Sequence, residues 1–362
     1  GIDSTIVAGI AAREIPQLPT FSLGFKENSW FDESKYAELA ARHFKTEHHT
    51  FSLTNHDLLE HFDDFLLAQD EPFADSSALN VFILSKKTKG FVKTVLSGDG
   101  ADEIFGGYTK HRAEWLIQND PLTRIFGRFG KFTATIFPAS RNSSFGNKIR
   151  QWQKLSALTD LPAEERYWKM ACISSEIEAS SLLKSEFITD KFESTKSKFL
   201  ESVRKNNNLN GVLLNDINLV LENDMLVKID RMSMANGLEI RSPFMDYRVI
   251  EFGMNISENL KVNKKEGKFI LKKAFTNLIP EELVHRKKRG FEVPLQQWMK
   301  KELKEKISGD LLEKRFIEEQ GIFNYPAIKN LLEKAHSKNP GDSVARIWGL
   351  MMFNNWYKKM QT

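Results

Sequence analysis

The chain has 362 residues, of which 41% are hydrophobic and 28% charged, a composition typical of a globular protein with one or two packed cores. Its net charge of +4, from 52 basic and 48 acidic residues, argues against a nucleic-acid binder. The single cysteine, Cys172, excludes an internal disulfide and a multi-thiolate metal site. No apolar stretch approaches the ~20 residues of a membrane span and no signal peptide precedes Gly1, so we expect a cytoplasmic protein without a membrane partner.

The first third of the sequence alternates between strand-like and helical runs. It opens on GIDST, where a glycine, an acid and two hydroxyls precede the apolar run IVAGIAAR, an order typical of a phosphate-binding loop that leads into a helix. The strand-like TFSLGF (20–25) and the helical DESKYAELAARHF (32–44) follow. This alternation predicts a parallel sheet within residues 1–109.

A second chemical stretch, LSGDGADEIFGGY at 96–108, follows the strand-like run FVKTV (91–95). Its acids, Asp99, Asp102 and Glu103, offer oxygen ligands for magnesium or a base for proton transfer, although a solvated turn with helix-capping acids has the same composition. The carboxyl ends of parallel strands face one crevice, so we expect Asp102 to lie near Asp3 and to hold a metal nucleotide. No P-loop motif is present, and Glu103 occupies the third glycine position of a dinucleotide-binding motif.

From about residue 110 onward the pattern is mostly helical and strands become hard to find. The longest helical stretch, 213–238, ends at the stop signal Asn236-Gly237. Next to it, Arg241 lies between Glu239 and Asp246 in the sequence, which favours a structural ion-pair network that supports the site.

Three other features have mainly structural interpretations. His48 and His49 are adjacent in the strand-like EHHTF, where neighbouring side chains point to opposite faces, so we do not expect them to share a metal ion. Cys172 lies in a helical region and is interpreted as a buried apolar filler. The basic run at 285–289 is interpreted as a solvated loop or a lid near pyrophosphate rather than a nucleic-acid contact.

Five motifs carry a resemblance to one family. GIDST resembles the tail of the S-G-G-x-D-S loop of ATP pyrophosphatases. LSGDGADEIFGGY, DRMSMANGLEIRSPFMD, GKFILKKAF and RKKRGFEVPL, in that order, resemble the synthetase domain of glutamine-dependent asparagine synthetases, and DEPFADSSALNVFILSK (70–86) is similar to the segment between the family's first two motifs.

The resemblance implies an α/β fold, with a parallel sheet and flanking helices of the adenine nucleotide α-hydrolase or ATP pyrophosphatase type, followed by a largely helical C-terminal part. It implies a domain over 1–299, sheet-rich at 1–109 and mostly helical at 110–299, with a helical extension at 300–362 packed on the same domain. The family's loop begins with Ser-Gly-Gly after a strand, and a glutaminase domain precedes it. We therefore expect a chain cut within the nucleotide loop that lacks the N-terminal glutaminase domain.

The resemblance also implies a reaction. ATP activates the side-chain carboxylate of aspartate as β-aspartyl-AMP, pyrophosphate leaves, and ammonia derived from glutamine displaces AMP to give asparagine. ATP and Mg²⁺ are the implied cofactors. Aspartate, ATP and ammonia are the implied small-molecule partners, with the glutaminase domain as a protein partner in the full-length chain.

The resemblance implies five roles for residues of the site. Asp3 and Asp102 hold Mg²⁺, and Ser4 with the loop backbone binds pyrophosphate. Leu23, Gly24, Ser97 and Gly98 line the nucleoside, and Gly100 is a further residue that binds the cofactor. Asp99 lies where other members carry Glu or Asp to manage the proton of the attacking ammonia. Lys268 stabilises charge at the reacting phosphate and carbonyl, although its other interpretation is a solvated helix lysine.

Three alternatives stay open. A related amide-forming enzyme, such as a β-lactam synthetase, a peptide cyclase or a polysaccharide amidotransferase, adenylates a different carboxylate, whereas DEPFADSS favours aspartate. A tRNA-modifying ATP pyrophosphatase requires an RNA surface and, for thiolation, more cysteines. A chain with an incomplete nucleotide loop can instead dock on or regulate an intact partner. An apolar patch exposed by the loss of the glutaminase domain would favour a homodimer.

Overall fold

The structure, a computed structural model, describes residues 1–27, 32–133, 155–286, 293–337 and 340–361. It has a mixed α/β fold with small parallel sheets, so the predicted fold class is confirmed. The described strands are β1 (Pro19–Phe25), β2 (Glu47–Leu53), β3 (Thr94–Leu96) and β4 (Glu239–Arg241).

The described helices cover most of the rest of the chain. Those of the first third are α1 (Ile2–Glu14), α2 (Ser34–Phe44), α3 (Asn55–Glu60), α4 (Phe62–Leu67), α5 (Ser77–Thr88), α6 (Ala101–Phe105), α7 (Thr109–Asn119) and α8 (Pro121–Thr133). Those that follow are α9 (Ala163–Ala171), α10 (Glu176–Leu182), α11 (Lys191–Phe199), α12 (Glu201–Asn206), α13 (Leu209–Asp216), α14 (Val227–Met234), α15 (Tyr247–Asn255), α16 (Glu258–Lys261) and α17 (Phe269–Ala274). The last are α18 (Glu281–Val284), α19 (Leu295–Lys300), α20 (Lys304–Lys306), α21 (Lys314–Gln320), α22 (Tyr325–His336) and α23 (Ser343–Gln361).

The strands form two parallel pairs. β1 pairs with β2 from Pro19 opposite Glu47 to Phe25 opposite Leu53. β3 pairs with β4, with Val95 opposite Ile240. β4 lies in the mostly helical part of the chain, where strands are hard to recognise from the sequence. β4 has only three residues, and its sequence, Glu-Ile-Arg, carries a single apolar side chain, too little for a strand pattern to stand out.

The start of the chain is already helical. The backbone carbonyl of Gly1 accepts a hydrogen bond from the Thr5 amide at 3.1 Å, which closes the first turn of α1. The prediction of a loop at residues 2–5 is thus wrong, although the helix that this loop was expected to lead into is present. Asp3 and Ser4 lie in the first turn, where the helix dipole favours negative charge.

The helical stretch predicted at 213–238 is present but not uniform. Between α13 and α14 the backbone forms a π-helix, Ile217–Leu226, a rare conformation with wider turns that is frequent at functional sites. The helix ends before Gly237, whose φ of 63° lies in the left-handed region that glycine tolerates best. The predicted stop signal is confirmed.

The largest hydrophobic core joins the two ends of the chain. Trp348 of α23 is fully buried, with ring centroids 5.9 Å from Phe62 and 6.1 Å from Phe65. A second core, which includes Ile6 and Ile104, lies between α1 and α6 and holds these two helices in place. Within the described ranges, no helix combines the length and the apolar character needed to cross a membrane.

Candidate active site

Three predicted side chains from distant parts of the sequence meet at one point. The ammonium Nζ of Lys268 lies 2.6 Å from Oδ1 of Asp3 and 2.5 Å from Oδ1 of Asp102. Asp3 comes from the first turn of α1, Asp102 from the first turn of α6, and Lys268 from the residue before α17. The sequence-based expectation that Asp3 and Asp102 lie close together agrees with this geometry.

Two glycines allow the loop after β3 to approach α1. At Gly98, a Cβ would overlap the backbone nitrogen of Ser4, so only glycine fits this close contact. Gly100 has a φ of 89° and precedes the first residue of α6. The turn at 97–100 thereby places the first turn of α6, and with it Asp102, beside the start of α1.

A second glycine pair closes the other side of the site. Gly106 ends α6 with a φ of 74°, and the Gly106 and Gly107 amides both donate to the Asp102 carbonyl, at 3.0 and 2.9 Å. A Cβ at Gly107 would overlap both Oδ1 of Asp102 and the Lys268 side chain. The Gly-Gly turn therefore leaves a space that the ion pair itself fills.

Lys268 is buried, with 3% of its surface exposed. Burial acts to lower its pKa, but the charges of Asp3 and Asp102 outweigh this effect and raise the pKa of Lys268, so the ammonium stays charged. Its φ of 55° is unusual for a residue with a side chain. The alternative interpretation of Lys268 as a solvated lysine is therefore wrong.

Asp99 lies in the turn at 97–100, one residue after Gly98. Its backbone carbonyl accepts a hydrogen bond from the Ser242 hydroxyl at 2.5 Å, which fixes the turn to the segment after β4. Burial raises the pKa of the Asp99 carboxyl and outweighs the lowering effects of the Ser97 hydroxyl and of Lys228, while the charges of Asp3 and Asp102 add a smaller increase. This carboxyl is therefore easier to protonate than an exposed aspartate.

The other predicted nucleotide contacts lie in two places. Ser97 extends the β3–β4 pair, since its amide donates to the Arg241 carbonyl at 2.9 Å. Leu23 is buried in β1, and Gly24 lies against Asp32 and Ser34. β1 belongs to the other sheet, so the shared role of Leu23, Gly24, Ser97, Gly98 and Gly100 at a nucleotide stays a prediction.

His48 and His49 both make contacts within the β1–β2 pair. His48 hydrogen-bonds the hydroxyls of Thr20 and Ser22 at 2.9 and 3.0 Å, and the ring of His49 stacks on Phe21. These contacts give both imidazoles a role within the β1–β2 pair.

The predicted network around Arg241 is only half formed. Arg241 pairs with Glu239 at 2.7 Å, whereas Asp246 pairs with Arg248 at 2.6 Å. Asp246 pairs with Arg248 because only Tyr247 separates them at the start of α15. The Asp246 carboxylate also accepts a hydrogen bond from the Arg248 backbone amide there. Most of the predicted basic lid, 287–289, lies outside the described residues.

The sequence did not predict two groups of polar contacts beside the site, one around Glu103 and one around Asp216. The Tyr108 hydroxyl donates to Oε1 of Glu103 at 2.5 Å. Asp216, fully buried, accepts from His111 Nε2 at 2.6 Å, from Lys110 at 2.6 Å and from the Tyr167 hydroxyl at 2.5 Å. Tyr108 follows Glu103 by five residues, so a local motif could have indicated the first contact. The contacts of Asp216 have no local pattern, because Lys110 and Asp216 are 106 residues apart in the sequence.

Truncation of Asp216 is expected to destabilise the fold. In Asp216→Ala, the partly buried Lys110 ammonium and the buried His111 and Tyr167 donors lose their acceptor, and we expect the free energy of unfolding to fall by about 3 kcal/mol or more. Urea titration followed by circular dichroism measures the change. Asp190→Ala, at an exposed position, is the control, and equal losses in both variants would contradict the structural role of Asp216.

Glu103 predicts a pH dependence of stability. Burial raises its pKa from 4.5 to about 7, so between these values the folded state binds more protons than the unfolded chain. This contribution to the free energy of unfolding falls by about 3 kcal/mol as the pH rises from 4.5 to 7. The Glu103→Gln variant lacks this pH-dependent contribution. We therefore expect the difference in free energy of unfolding, variant minus wild type, to increase as the pH rises from 4.5 to 7. Parallel urea-derived curves for the two proteins would contradict the prediction, and the exposed Glu186→Gln is the control.

The comparisons with known proteins assign the chain to a family. The family model described as "Asparagine synthase" matches residues 1–358. The chain belongs to the asparagine synthase family. It is 29% identical over 358 residues to "Asparagine synthetase [glutamine-hydrolyzing] 1" of Bacillus subtilis, covering 99% of this chain and 54% of the relative.

Two other relatives have lower identity. "Asparagine synthetase [glutamine-hydrolyzing] 3" of Bacillus subtilis is 26% identical over 310 residues, which are 80% of this chain and 43% of the relative. "Amidase chry2" of Gibberella zeae is 23% identical over 395 residues, 98% of this chain and 57% of the relative. The chain thus spans about half the length of the curated relatives it matches.

The donors present at the site suit a magnesium nucleotide. Mg²⁺ is usually held in enzymes of this kind by one or two carboxylates, with phosphate oxygens and water completing its shell. Asp3 and Asp102 supply two carboxylates, and the Lys268 ammonium between them shows that this position accepts a cation. Among the described residues, no group of three or more His, Cys, Asp or Glu side chains is placed to hold a metal without such help.

Proposed function

We propose that this chain catalyses the ATP-dependent amidation of the side-chain carboxylate of aspartate, with asparagine, AMP and pyrophosphate as products. The observation that carries the proposal is the convergence of Asp3, Asp102 and Lys268 beside Asp99. Membership of the asparagine synthase family supports the reaction class. The choice of aspartate over other carboxylates rests on the bacterial relatives' names and is the finer part of the proposal.

The first step activates a carboxylate that ammonia cannot attack directly, because the anion repels nucleophiles and its oxide is a poor leaving group. An oxygen of the carboxylate attacks the α-phosphorus of ATP and forms a new P–O bond. The bond from that phosphorus to the β-phosphate oxygen breaks, and pyrophosphate leaves with the electron pair. The product is β-aspartyl-AMP.

The residues of the site match the charges of this step. In our proposal, Mg²⁺ supplies charge neutralisation of the triphosphate when bound by Asp3 and Asp102. Ser4 and the first-turn amides of α1 bind the pyrophosphate oxygens, as helix N-termini commonly do. Lys268 stabilises the negative charge that develops at the α-phosphate, and its burial strengthens this interaction because little water screens it.

The second step forms the amide. The nitrogen of ammonia attacks the carbonyl carbon, a C–N bond forms, and AMP leaves with the electrons of the C–O bond. The nitrogen must lose one proton, and we assign its acceptance to the Asp99 carboxylate. The raised pKa of Asp99 supports this assignment, because a general base works best when its pKa approaches the working pH.

The ammonia source and the carboxylate are both open to test. Because the bacterial relatives are named as glutamine-hydrolysing, we propose that a glutaminase domain supplies ammonia in the full-length protein. The "Amidase" name of the Gibberella zeae relative supports a second candidate, amidation of another carboxylate by the same two steps.

Pyrophosphate release from magnesium ATP with ammonium chloride is the decisive experiment. The panel comprises L-aspartate, L-glutamate, succinate and β-alanine, with a reaction lacking any carboxylate as the control. Release that requires L-aspartate, together with asparagine formation, supports the proposal. Release with another acid alone supports the second candidate, and no release with any acid while magnesium ATP binds contradicts both.

A further inference from the structure

The Lys268 ammonium occupies the position between two carboxylates where a metal cation would bind. Its distances of 2.6 and 2.5 Å to Asp3 and Asp102 are those of direct charge-assisted hydrogen bonds. The side chains of all three residues are mostly buried, with exposed fractions of 4% for Lys268, 17% for Asp3 and 19% for Asp102. The two negative charges are therefore neutralised in part by the chain's own cation.

The backbone holds the lysine in this position. Lys268 adopts a φ of 55°, and the preceding Gly267 packs so tightly that a Cβ there would overlap the Gly106 carbonyl. On the other side, Gly107 leaves space that the Lys268 methylenes fill. A side chain with a left-handed backbone, packed between two tight turns, is positioned by the fold and is not a mobile surface lysine.

A divalent cation that binds both carboxylates must compete with this ammonium. Two cations cannot share the same pair of oxygens, since like charges at such short separations in a buried site repel strongly. A bound triphosphate changes the balance, because its oxygens give the lysine another anionic partner. The nucleotide thereby relieves the competition that excludes the free metal.

We propose that Lys268 acts as a built-in counter-ion that keeps free divalent cations out of the Asp3–Asp102 site, so that the metal enters only together with a triphosphate. The inference rests on the proposed function only in taking a nucleotide triphosphate as the carrier of the metal. Excluding the free metal keeps water and free pyrophosphate from binding at the site before the nucleotide, because a bound metal ion would attract both.

Binding of Mn²⁺, a paramagnetic substitute for Mg²⁺, tests the proposal without any turnover. Electron paramagnetic resonance counts free Mn²⁺ during titration of the wild type, of Lys268→Gln and of the control Lys272→Gln, which alters a lysine of α17 paired with Glu266. We expect Lys268→Gln to bind Mn²⁺ without nucleotide at least tenfold more tightly than the wild type, and Lys272→Gln to behave as the wild type.

A second variant and a second readout protect the test against misfolding. Lys268→Met removes the charge with a side chain of similar length, and both variants leave Asp3 and Asp102 without a counter-ion. We therefore expect Mn²⁺ to raise the melting temperature of both variants more than that of the wild type. A variant that folds only in the presence of Mn²⁺ supports the same conclusion.

Equal Mn²⁺ affinity of the wild type and both Lys268 variants would overturn the inference, as would tight nucleotide-free binding by the wild type. These outcomes are independent of amidation. A protein that shows the tenfold difference but amidates no carboxylate supports the counter-ion role and contradicts the proposed function. A protein that makes asparagine but binds Mn²⁺ equally tightly with and without the Lys268 charge supports the proposed function and contradicts the counter-ion role.

Discussion

Asp102→Asn is expected to abolish pyrophosphate release from magnesium ATP while leaving the fold intact. Asparagine has nearly the same shape as aspartate, so the first turn of α6 and its packing are preserved, and Lys268 keeps its contact with Asp3. The lost charge weakens the metal site, and removal of one preorganised charge at a reacting phosphate typically costs at least about a hundredfold in rate. Pyrophosphate release with aspartate and ammonium chloride measures the effect.

The control for Asp102→Asn is Asp190→Asn, the same change at an exposed position far along the sequence. Circular dichroism and the melting temperature verify that both variants fold. Near-full activity of Asp102→Asn would contradict the proposed role of Asp102 in holding the metal. The proposed function would then lack the support of one of its three converging side chains.

Lys268→Ala is expected to slow adenylation by about a hundredfold or more, with a much smaller effect on the affinity for magnesium ATP. The lysine is proposed to act on charge that develops at the α-phosphate in the transition state, and interactions of this kind raise the rate more than they strengthen ground-state binding. Pre-steady-state pyrophosphate release gives the rate, and equilibrium binding of a non-hydrolysable ATP analogue gives the affinity.

Lys272→Ala is the matched control for this variant, since Lys272 lies in the next turn of the same segment and pairs with Glu266. The measurements are made with excess magnesium, because Asp3 and Asp102 repel each other once the lysine is gone. An unchanged rate of pyrophosphate release, or a loss confined to ATP affinity, would refute the role assigned to Lys268.

Short local motifs in the sequence were sufficient to predict several elements around the candidate site and the proximity of Asp3 and Asp102. Strand β1, helix α2 and strand β3 follow from local apolar patterns and are present at nearly the predicted residues. Asp3 and Asp102 were expected to meet because both were assigned to the carboxyl ends of parallel strands, and the two side chains share the Lys268 ammonium.

The rest of the site depends on contacts that no local pattern encodes. β4 was missed because its three residues are recognisable as a strand only beside β3. The π-helix at Ile217–Leu226 has ordinary helical composition, so only the packed structure reveals it. The bridging position of Lys268 follows from the tight turns at Gly107 and Gly267, whose spacing is set by tertiary packing.

The separation of Lys268 from Asp3 along the chain has a consequence for how the protein folds. Their contact closes a loop of 265 residues, and the entropy lost in such a closure must be recovered from the cores that form inside it. Because closing so long a loop costs more entropy than closing a short one, we expect the ion pair to assemble after α1 and α6 have packed. During synthesis, a chain that has not yet emerged beyond Lys268 therefore has both carboxylates but no lysine between them, and the site is completed only after Lys268 has left the ribosome.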